Sequence, residues 1–298
     1  MVATRRQPQV LLASCAELPT SNGDDTQLPA ALAELGVQAS WAVWDAPEAD
    51  FAQADLVVLR STWDYTRRRA EFLRWCESLP ALANPARVVR WNTHKSYLVD
   101  LAAAGVAVVP TQVIAPGERA EWPEHEFVLK PAVGAGSRDA ARFDPADPTA
   151  ARAHLRTLHE QDRTAVVQPY QEAVDAEGET ALVFLGGVFS HGFVKGPMLT
   201  PATAREASEL FVPEGLRPTD PPATMRRAAE DALDAACGLL GLCRSELLYA
   251  RVDLVRATDG EPLLLELELS EPSLGFRQTD SAAQRRFASA VRGTLARR

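Results

Sequence analysis

The stretch ARVDLVRATDGEPLLLELELSE, residues 250–271, places carboxylates at every second position within a row of leucines. Two strand-like runs flank the sequence ATDGEP, and its Asp-Gly pair is a strong signal for a β-hairpin with a two-residue loop. We therefore predict two antiparallel strands joined by Asp259 and Gly260. The pairing register of these strands then decides which side chains share a face.

Counting outward from this loop places Asp253 opposite Glu266 and Arg251 opposite Glu268. Directly paired residues share a face of the sheet, and side chains alternate with period two along each strand. The four polar side chains should therefore project from one side. The other side is predicted to face the core and holds Val252, Leu254, Leu265, Leu267 and Leu269.

Three carboxylates on one patch repel one another, so the predicted polar face needs a compensating charge. Mg²⁺ prefers oxygen ligands and often takes them from a few carboxylates together with substrate phosphates. Arg251 could neutralise part of the charge or hold a negative reacting group. The alternative is a half-solvated sheet whose polar side faces water, and the hairpin alone does not decide between the two.

Composition narrows the class of protein. The chain has 298 residues, of which 46% are hydrophobic and 24% charged, which suits two or three subdomains of ordinary globular composition. Its formal net charge of -9 disfavours binding to nucleic acid, although small anions need only a local group of lysines. The four cysteines form no C-x-x-C pair, and no apolar run reaches the ~20 residues of a membrane helix. We expect a soluble, cytoplasmic protein with no nucleic-acid or membrane partner.

The first ninety or so residues alternate strand and helix patterns, which predicts a mostly parallel sheet covered by helices. In such sheets, ligands bind at the carboxyl ends of the strands. The segment RSTWDY follows one of these strands, and its candidate substrate contacts are Arg60, Thr62, Asp64 and Tyr65. A polar turn around a packed Trp63 would explain the same residues.

Lys95 lies in the segment WNTHKSYLVDLAAAGV, which predicts a helix with Asn92 as its N-cap and Gly105 at its end. That arrangement puts Lys95 in the first helical turn, where the helix dipole favours an anion over a cation. A lysine at this place suggests an anionic partner, although a solvated surface lysine is the commoner explanation.

Lys130 follows a predicted strand in EFVLKPAVGAGSRD and precedes a loop with Gly134, Gly136 and Ser137. Small consecutive residues let backbone N–H groups approach phosphate oxygens. The loop is not a Walker A motif, because the lysine comes before the glycines, and it lacks the Rossmann pattern. A glycine-rich hairpin turn remains the alternative to a phosphate-binding loop.

The following segments predict further antiparallel strands. The strand in AVVQPY should become irregular after Val167, because Pro169 lacks a backbone donor. The next strand begins near Glu179, and its partner brings Lys195 back beside it. The segment VPEGLRPTDPPAT predicts a proline-rich linker before a long amphipathic helix, and a last helix is predicted near residues 281–295.

The joint order of these lysines, the glycine-rich loop and the acidic hairpin resembles the ATP-grasp superfamily, which includes D-alanine–D-alanine ligase and glutathione synthetase. The resemblance covers about residues 88–273. It implies an α/β protein with the ATP-grasp fold, in which an N-terminal parallel α/β domain (1–90) is followed by two α+β subdomains (91–167 and 168–298) that clasp ATP.

Roles of individual residues follow from matching motifs. The resemblance implies that Lys95 and Lys130 bind the nucleotide phosphates and that VGAGSRD, with Gly134, Gly136 and Ser137, is the mobile loop that covers them. The other nucleotide contacts that it implies are Gln168, Pro169 and Tyr170 around the adenine and Glu179 on the ribose.

The resemblance also implies that Asp253, Glu266 and Glu268 bind Mg²⁺. The usual pattern ends in Glu-x-Asn, so Glu268 adds a negative charge and leaves the number of metal ions open. Arg251 and Lys195 are implied as catalytic contacts to an acyl phosphate, and Ser270 joins the candidate substrate contacts.

Within the superfamily, RSTWDY, VVQPY and LELELSEPSL in a chain of this size are most similar to small actinobacterial ligases related to D-cycloserine synthetase, which serve antibiotic biosynthesis by closing O-ureido-D-serine into cycloserine. The implied reaction is ATP- and Mg²⁺-dependent C–N bond formation on an amino-acid-like carboxylate. Three alternatives stay open: a two-substrate amino-acid or peptide ligase, a phosphotransferase, and a non-catalytic ATP-binding regulator. Family members are often dimers, so a homodimer is expected as one option.

Overall fold

The computed structural model describes residues 6–199 and 215–298, which form three β-sheets and the helices around them. The strands are β1 (Gln9–Ser14), β2 (Gln38–Val43), β3 (Leu56–Leu59), β4 (Gln112–Ile114), β5 (Phe127–Pro131), β6 (Ala141–Phe143), β7 (Ala165–Pro169), β8 (Glu179–Leu185), β9 (Val188–Lys195), β10 (Leu216–Thr219), β11 (Tyr249–Arg256) and β12 (Pro262–Glu268). The α-helices are α1 (Leu28–Ala33), α2 (Arg69–Ser78), α3 (Ala86–Asn92), α4 (Tyr97–Ala103), α5 (Pro148–Glu160), α6 (Ala173–Glu177), α7 (Ala223–Leu240) and α8 (Ala283–Ala296). Within this described part of the chain, no helix combines the length and apolar character that crossing a membrane requires.

The first sheet is parallel, as the alternating pattern predicted, and its strand order is β2-β1-β3. All four residues of β3 are buried, because helices cover both faces. On one face α1 packs with α8, which comes from the far end of the chain, and on the other face lie α2 and α3. The N-terminal α/β unit is therefore completed by the last helix of the protein.

The second sheet is antiparallel, with strand order β4-β7-β5-β6, and α5 packs on it. Strand β7 continues through Pro169, which pairs with Phe127, so the irregular segment predicted after Val167 begins only at Tyr170. A proline is tolerated there because β4 pairs only with residues 165–167, so Pro169 has a neighbouring strand on one side only.

The third sheet is antiparallel, with strand order β10-β9-β8-β11-β12, and α4 and α7 cover one face together. Strand β10 lies inside the predicted proline-rich linker, so that prediction is wrong for residues 216–219, while its residues 212–214 lie outside the described residues. Pro218 is tolerated because β10 is an edge strand. The three sheets follow one another along the chain, whereas α4 packs on the third sheet and α8 on the first.

The hairpin of β11 and β12 has the predicted pairing at its polar end but a different turn. Asp253 pairs with Glu266 and Arg251 with Glu268, as predicted. The Ala257 N–H donates to the Glu261 carbonyl at 2.9 Å, so the loop between them holds three residues instead of two. A bulge restores the register, because β12 carries an extra residue opposite the step from Asp253 to Leu254.

The extra residue is Leu265, and the bulge changes the face on which it lies. We predicted Leu265 in the core, but it is half-buried and packs near Val109 and Val174 on the polar side of the hairpin. Its neighbour Leu264 takes the core position instead and is 1% exposed.

Asn92 is not the helix N-cap that the sequence suggested. It is the last residue of α3, and α4 begins only at Tyr97, so Lys95 lies in the turn between two helices. The Asn92 amide donates to the Leu267 carbonyl and accepts from the Leu269 N–H, both at 2.7 Å. The Tyr97 hydroxyl accepts from the Leu267 N–H at 3.0 Å. These side chains therefore supply hydrogen-bond partners for the backbone groups on the outer edge of β12.

Asn84 connects the N-terminal unit to the same hairpin. Its side-chain amide donates to the carbonyls of Tyr249 and Leu269 at 2.8 and 2.6 Å, and its carbonyl accepts from the Leu248 N–H at 2.7 Å. The residue is 1% exposed and has a φ of 54°, a left-handed conformation that asparagine tolerates better than most residues.

We predict that Asn84→Ala lowers the free energy of unfolding by about 3 kcal/mol, because it leaves three buried backbone groups without a partner. Asn84→Gly loses the same hydrogen bonds but adopts the positive φ freely, so it should be less destabilised than the alanine variant by about 1 kcal/mol. Urea denaturation of the three proteins measures both differences. Equal stability of wild type and Asn84→Ala would contradict this role for Asn84.

Candidate active site

Three carboxylates converge on the polar face of the β11–β12 hairpin. Asp253, Glu266 and Glu268 each offer an oxygen, and these oxygens lie within 4.8 Å of one another. Asp253 is completely buried, whereas the other two side chains are partly exposed. We call these three residues the acid cluster. Its oxygen donors are of the kind that Mg²⁺ prefers, so the residues present fit this ion.

Positive side chains surround the acid cluster and compensate for the repulsion between its carboxylates that the sequence analysis expected. The Asp253 carboxylate accepts from Arg251 Nε and Nη2 at 2.9 and 2.8 Å and from Lys195 Nζ at 2.8 Å. Glu266 accepts from Lys95 Nζ at 2.5 Å, and Glu268 accepts from Arg251 Nη2 at 2.6 Å. Each carboxylate thus has a cation within hydrogen-bond distance.

The three acids differ in their ionisation. Burial alone would raise the pKa of Glu266, but Lys95, Lys130 and Lys195 outweigh it and hold the pKa well below its usual range. Burial raises the pKa of Glu268 to about 7. Arg251 lowers this pKa, but the negative charges of Glu266 and Asp253 raise it further, so the net shift is upward. Glu268 is therefore the acid of the cluster that holds its proton most firmly.

Two cavities meet at the acid cluster. Cavity A, of about 270 Å³, extends towards the N-terminal unit and is lined by Tyr65, Arg251 and Glu271 among others. Cavity B, of about 110 Å³, extends towards the second sheet and is lined by Gln168, Tyr170 and Leu265 among others. Both cavities are lined by Lys95, Gly134, Ala135, Gly136, Glu266 and Glu268. The acid cluster and the glycine-rich loop therefore form the boundary between them.

The glycine-rich loop lies over this boundary. Gly136 and Ser137 have φ values of 62° and 55°, and Lys95 Nζ donates to the Gly134 carbonyl at 3.3 Å. Arg138 donates to the Thr66 hydroxyl, which ties the loop to the N-terminal unit. Left-handed residues in such a loop turn backbone N–H groups into concave sites that suit anions.

Lys130 lines cavity B beside the loop. Burial lowers its pKa to about 8, although Glu266 opposes this shift. Lys195, predicted to return beside Glu179, does so: the two residues pair across β8 and β9, and Lys195 Nζ lies 2.6 Å from the Glu179 carboxylate. The structure thus brings Lys95, Lys130 and Lys195 together in the lining of cavity B, and Lys95 lines cavity A as well.

The predicted hinge residues line cavity B. Gln168 Nε2 donates to the Thr111 hydroxyl at 2.9 Å, but the buried Gln168 Oε1 has no partner among residues 6–199 and 215–298. The Arg142 guanidinium lies 3.6 Å from the centre of the Tyr170 ring and fixes its plane. Cavity B therefore offers a flat ring, an apolar wall at Leu265 and an acceptor that a ligand N–H could satisfy.

Of the predicted substrate contacts, Tyr65 lines cavity A. Arg60, in contrast, lies behind its wall: it is 2% exposed, donates to Asp25 at 2.9 and 3.2 Å, and donates to the Pro272 carbonyl at 2.9 Å. The predicted direct contact of Arg60 with substrate is therefore corrected to a supporting position, because its guanidinium is turned inward to a buried carboxylate.

Thr62, Asp64 and Ser270 also lie outside the cavity lining and are corrected in the same way. The Asp64 carboxylate accepts from Trp44 Nε1 at 3.0 Å and from Arg68 at 2.5 Å. The Ser270 hydroxyl donates to Asn92 Oδ1 at 3.3 Å. Residues 63–67 form a 3₁₀ helix, which turns Trp63 and Tyr65 to the cavity and turns Asp64 away from it.

Two acids of cavity A were missed. Glu271 is 8% exposed, and burial together with the Glu268 charge raises its pKa to about 8. It falls outside the alternating pattern because β12 ends at Glu268. Asp24 follows β1, so the rule for strand ends could have found it. Its Oδ1 accepts from the Arg277 N–H at 2.9 Å, while its buried Oδ2 has no partner in the described part of the chain.

Comparison with known proteins identifies similar chains. The family model for the N-terminal domain of D-cycloserine synthetase DcsG matches residues 10–87. The cycloserine biosynthesis protein DcsG of Streptomyces lavendulae is 39% identical over 270 residues, which are 86% of this chain and 89% of that protein. The crystal structure of D-cycloserine synthetase DcsG superposes with a TM-score of 0.88 at 36% identity, covering 96% of this chain and 99% of the other.

More distant structures are similar in fold. D-alanine–D-alanine ligase from Bacillus anthracis has a TM-score of 0.67 at 16% identity, with coverage of 98% of this chain and 97% of the ligase. The ATP-grasp ligase PsnB, in complex with a minimal precursor, has a TM-score of 0.60 at 16% identity, covering 97% and 100% of the two chains. These likenesses show that the chain has the ATP-grasp fold.

We predict that the acids of the cluster differ in their effect on stability. Asp253→Asn leaves Arg251 and Lys195 without their fully buried counter-charge and should lower the free energy of unfolding by about 3 kcal/mol. Glu268→Gln removes a pair whose acid is 29% exposed and should cost less than about 1 kcal/mol. Urea denaturation in the presence of EDTA measures both. Equal losses in the free energy of unfolding would show that burial does not determine how much each ion pair contributes to stability.

Proposed function

The chain belongs to the family of the cycloserine biosynthesis protein DcsG, and from that membership we propose that it is an ATP- and Mg²⁺-dependent ligase that closes O-ureido-D-serine into D-cycloserine. One observation carries the proposal: the acid cluster, the lysines and the glycine-rich loop lie where two cavities meet. A reaction that transfers a phosphoryl group between a nucleotide and a second substrate needs this arrangement.

In the proposed complex, cavity B holds the adenosine part of ATP, with the adenine beside Tyr170 and Leu265 and one of its N–H groups on Gln168 Oε1. Glu179 lies where it can accept from ribose hydroxyls. Lys95, Lys130, Lys195 and the backbone of residues 134–137 then bind the phosphates.

Asp253, Glu266 and Glu268 are the residues that would hold Mg²⁺. When bound, the ion supplies positive charge to the phosphate oxygens of the nucleotide. The residues of the chain align the two reactants across the boundary and exclude water from it, which is most of what a protein contributes to phosphoryl transfer.

The proposed reaction has three steps. A carboxylate oxygen of the substrate in cavity A attacks the γ-phosphorus, so that ADP leaves and an acyl phosphate forms. The ureido nitrogen next to the side-chain oxygen then attacks the acyl carbon, the C–N bond forms, and phosphate leaves with the C–O bond electrons. The ring nitrogen still carries the carbamoyl group, which water then removes as carbamate to give cycloserine, CO₂ and ammonia. Arg251 and Lys195 are proposed to stabilise the negative charge on the transferred group, since both contact the acid cluster, Arg251 from cavity A and Lys195 from cavity B.

Ring closure within one molecule requires no second binding site. The relationship to DcsG, a cycloserine biosynthesis protein, therefore favours one substrate over two.

The proposed activity predicts that ADP is released with O-ureido-D-serine as the single organic substrate. Glu266→Gln should lower this release roughly 100-fold or more, because it removes a charge from the transition-state environment. Glu261→Gln is the matched control, since Glu261 lies exposed on the turn of the same hairpin. A coupled ADP assay measures all three proteins.

Two outcomes would contradict the proposal. Release of ADP only with a mixture of a carboxylate and an amine would make the protein a two-substrate ligase. Equal ADP release by wild type and Glu266→Gln would exclude the acid cluster from the reaction.

The extra carboxylate of Glu268 predicts a specific metal dependence. Because ligand charge sets the affinity for a hard divalent cation, Glu268→Asn should raise the Mg²⁺ concentration for half-maximal ADP release about 10-fold. A titration of Mg²⁺ at saturating ATP measures this shift, with Glu261→Gln again as the control. An unchanged Mg²⁺ requirement would show that Glu268 is not a ligand.

A further inference from the structure

Glu271 occupies a fixed position in the wall of cavity A. Its segment, residues 270–273, is held through four consecutive backbone carbonyls. The donors are Tyr249 Oη to Ser270 at 2.7 Å, Trp63 Nε1 to Glu271, Arg60 Nη2 to Pro272 and Arg251 Nη1 to Ser273, the last three at 2.9 Å. Because the segment is clamped in this way, the Glu271 side chain is presented to the cavity from a rigid base.

Glu271 differs from the other acids of the cavity in its partners. Glu266 and Glu268 are paired with Lys95 and Arg251. Glu271 forms no ion pair with any residue in 6–199 or 215–298, and its carboxyl group faces the buried hydroxyl of Tyr65. A buried carboxyl group in a cavity wall without a cation is suited to accept from a ligand N–H.

The position of Glu271 relative to the acid cluster sets the part of the substrate that it can reach. It lines cavity A and is absent from the lining of cavity B, so it lies on the side opposite to the nucleotide. Glu271 follows Glu268, which lines both cavities, by only three residues, so it lies close to the boundary. Asp24 also lines cavity A, but its charge helps to stabilise the Arg60 guanidinium behind the cavity wall.

We propose that Glu271 is a catalytic residue that holds the attacking nitrogen of the substrate through its N–H and accepts its proton when the ring closes. The inference deepens the proposed function and rests on it. In this step the nitrogen lone pair forms the C–N bond, the bond between the acyl carbon and the phosphate oxygen breaks, phosphate leaves, and the N–H proton passes to the Glu271 carboxylate. Tyr65 orients that carboxylate.

The ionisation of Glu271 agrees with this role. A general base works best when its pKa lies near the working pH. Burial raises the pKa of the Glu271 carboxyl to about 8, with Glu268 adding to the shift and Tyr65 and Lys95 opposing it. An ordinary surface glutamate would be a much weaker base.

The test separates the two halves of the reaction. In Glu271→Gln the side-chain amide keeps an acceptor oxygen but cannot take a proton. We expect cycloserine formation to fall about 100-fold, the low end of what a general base contributes. Acyl phosphate should still form, so ADP release should exceed product formation, and added hydroxylamine should trap the acyl group as a hydroxamate at a rate within about threefold of wild type, since it attacks without the enzyme's base.

Product formation within about threefold of wild type would overturn the proposal, because a general base contributes far more. An equal loss of ADP release and product would overturn it too, since that pattern belongs to a structural role.

Should Glu271→Gln fail to fold in a thermal melt, Tyr65→Phe provides the second test, because it keeps the ring and removes the hydroxyl that orients Glu271. A fall in product per ADP is expected, and unchanged coupling would overturn the proposal. Absence of ADP release by wild type with O-ureido-D-serine would instead contradict the proposed function itself.

Discussion

The structure depends on keeping three carboxylates together at the open end of one hairpin. Oxygens within 4.8 Å of one another, one of them fully buried, would repel strongly unless each had a cation. The chain supplies these cations from separate places: Arg251 from β11 itself, Lys95 from the turn between α3 and α4, and Lys195 from the end of β9. The sheets and helices must therefore converge at the acid cluster for it to be stable. The same convergence creates the boundary between the two cavities.

A second consequence concerns the N-terminal unit. Three of its side chains hold the backbone of the site. Arg60 and Trp63 bind the carbonyls of residues 271–272, and Asn84 binds the ends of β11 and β12. A buried arginine is costly without a partner, and Asp25 supplies one. Arg60 and Asn84 thus support the site without lining either cavity.

The sequence was informative where a single periodicity applied. Period two along β12 predicted that Glu266 and Glu268 share a face with Asp253, and the pairing proved correct although the loop has three residues. Two departures cancel there, because the bulge at Leu265 compensates for the longer loop. Neither departure can be read from alternation, since a bulge keeps the leucine pattern and changes only the face of one side chain. Leu265 was therefore misplaced while its acidic neighbours were not.

Long-range contacts limited the rest of the prediction. Asn92 looked like a helix cap, because a local pattern cannot show that its amide is needed by an edge strand about 175 residues away. Glu271 was missed for a related reason: its place in the cavity wall is set by donors from β11 and from residues 60–63, not by its own strand. Sequence patterns thus located the charged groups, while tertiary contacts decided which of them line cavity A.

Glu268 shows how one substitution can be absorbed by the surrounding charges. The usual ATP-grasp pattern has an asparagine at this place, so the carboxylate adds a negative charge beside Asp253 and Glu266. Arg251 Nη2 accommodates it by donating to both Asp253 and Glu268, at 2.8 and 2.6 Å. The remaining repulsion appears as the raised pKa of Glu268, about 7, which leaves this residue close to the point of ionisation. A cation arriving at the cluster favours the charged form, so binding of a metal ion there would release a proton near neutral pH.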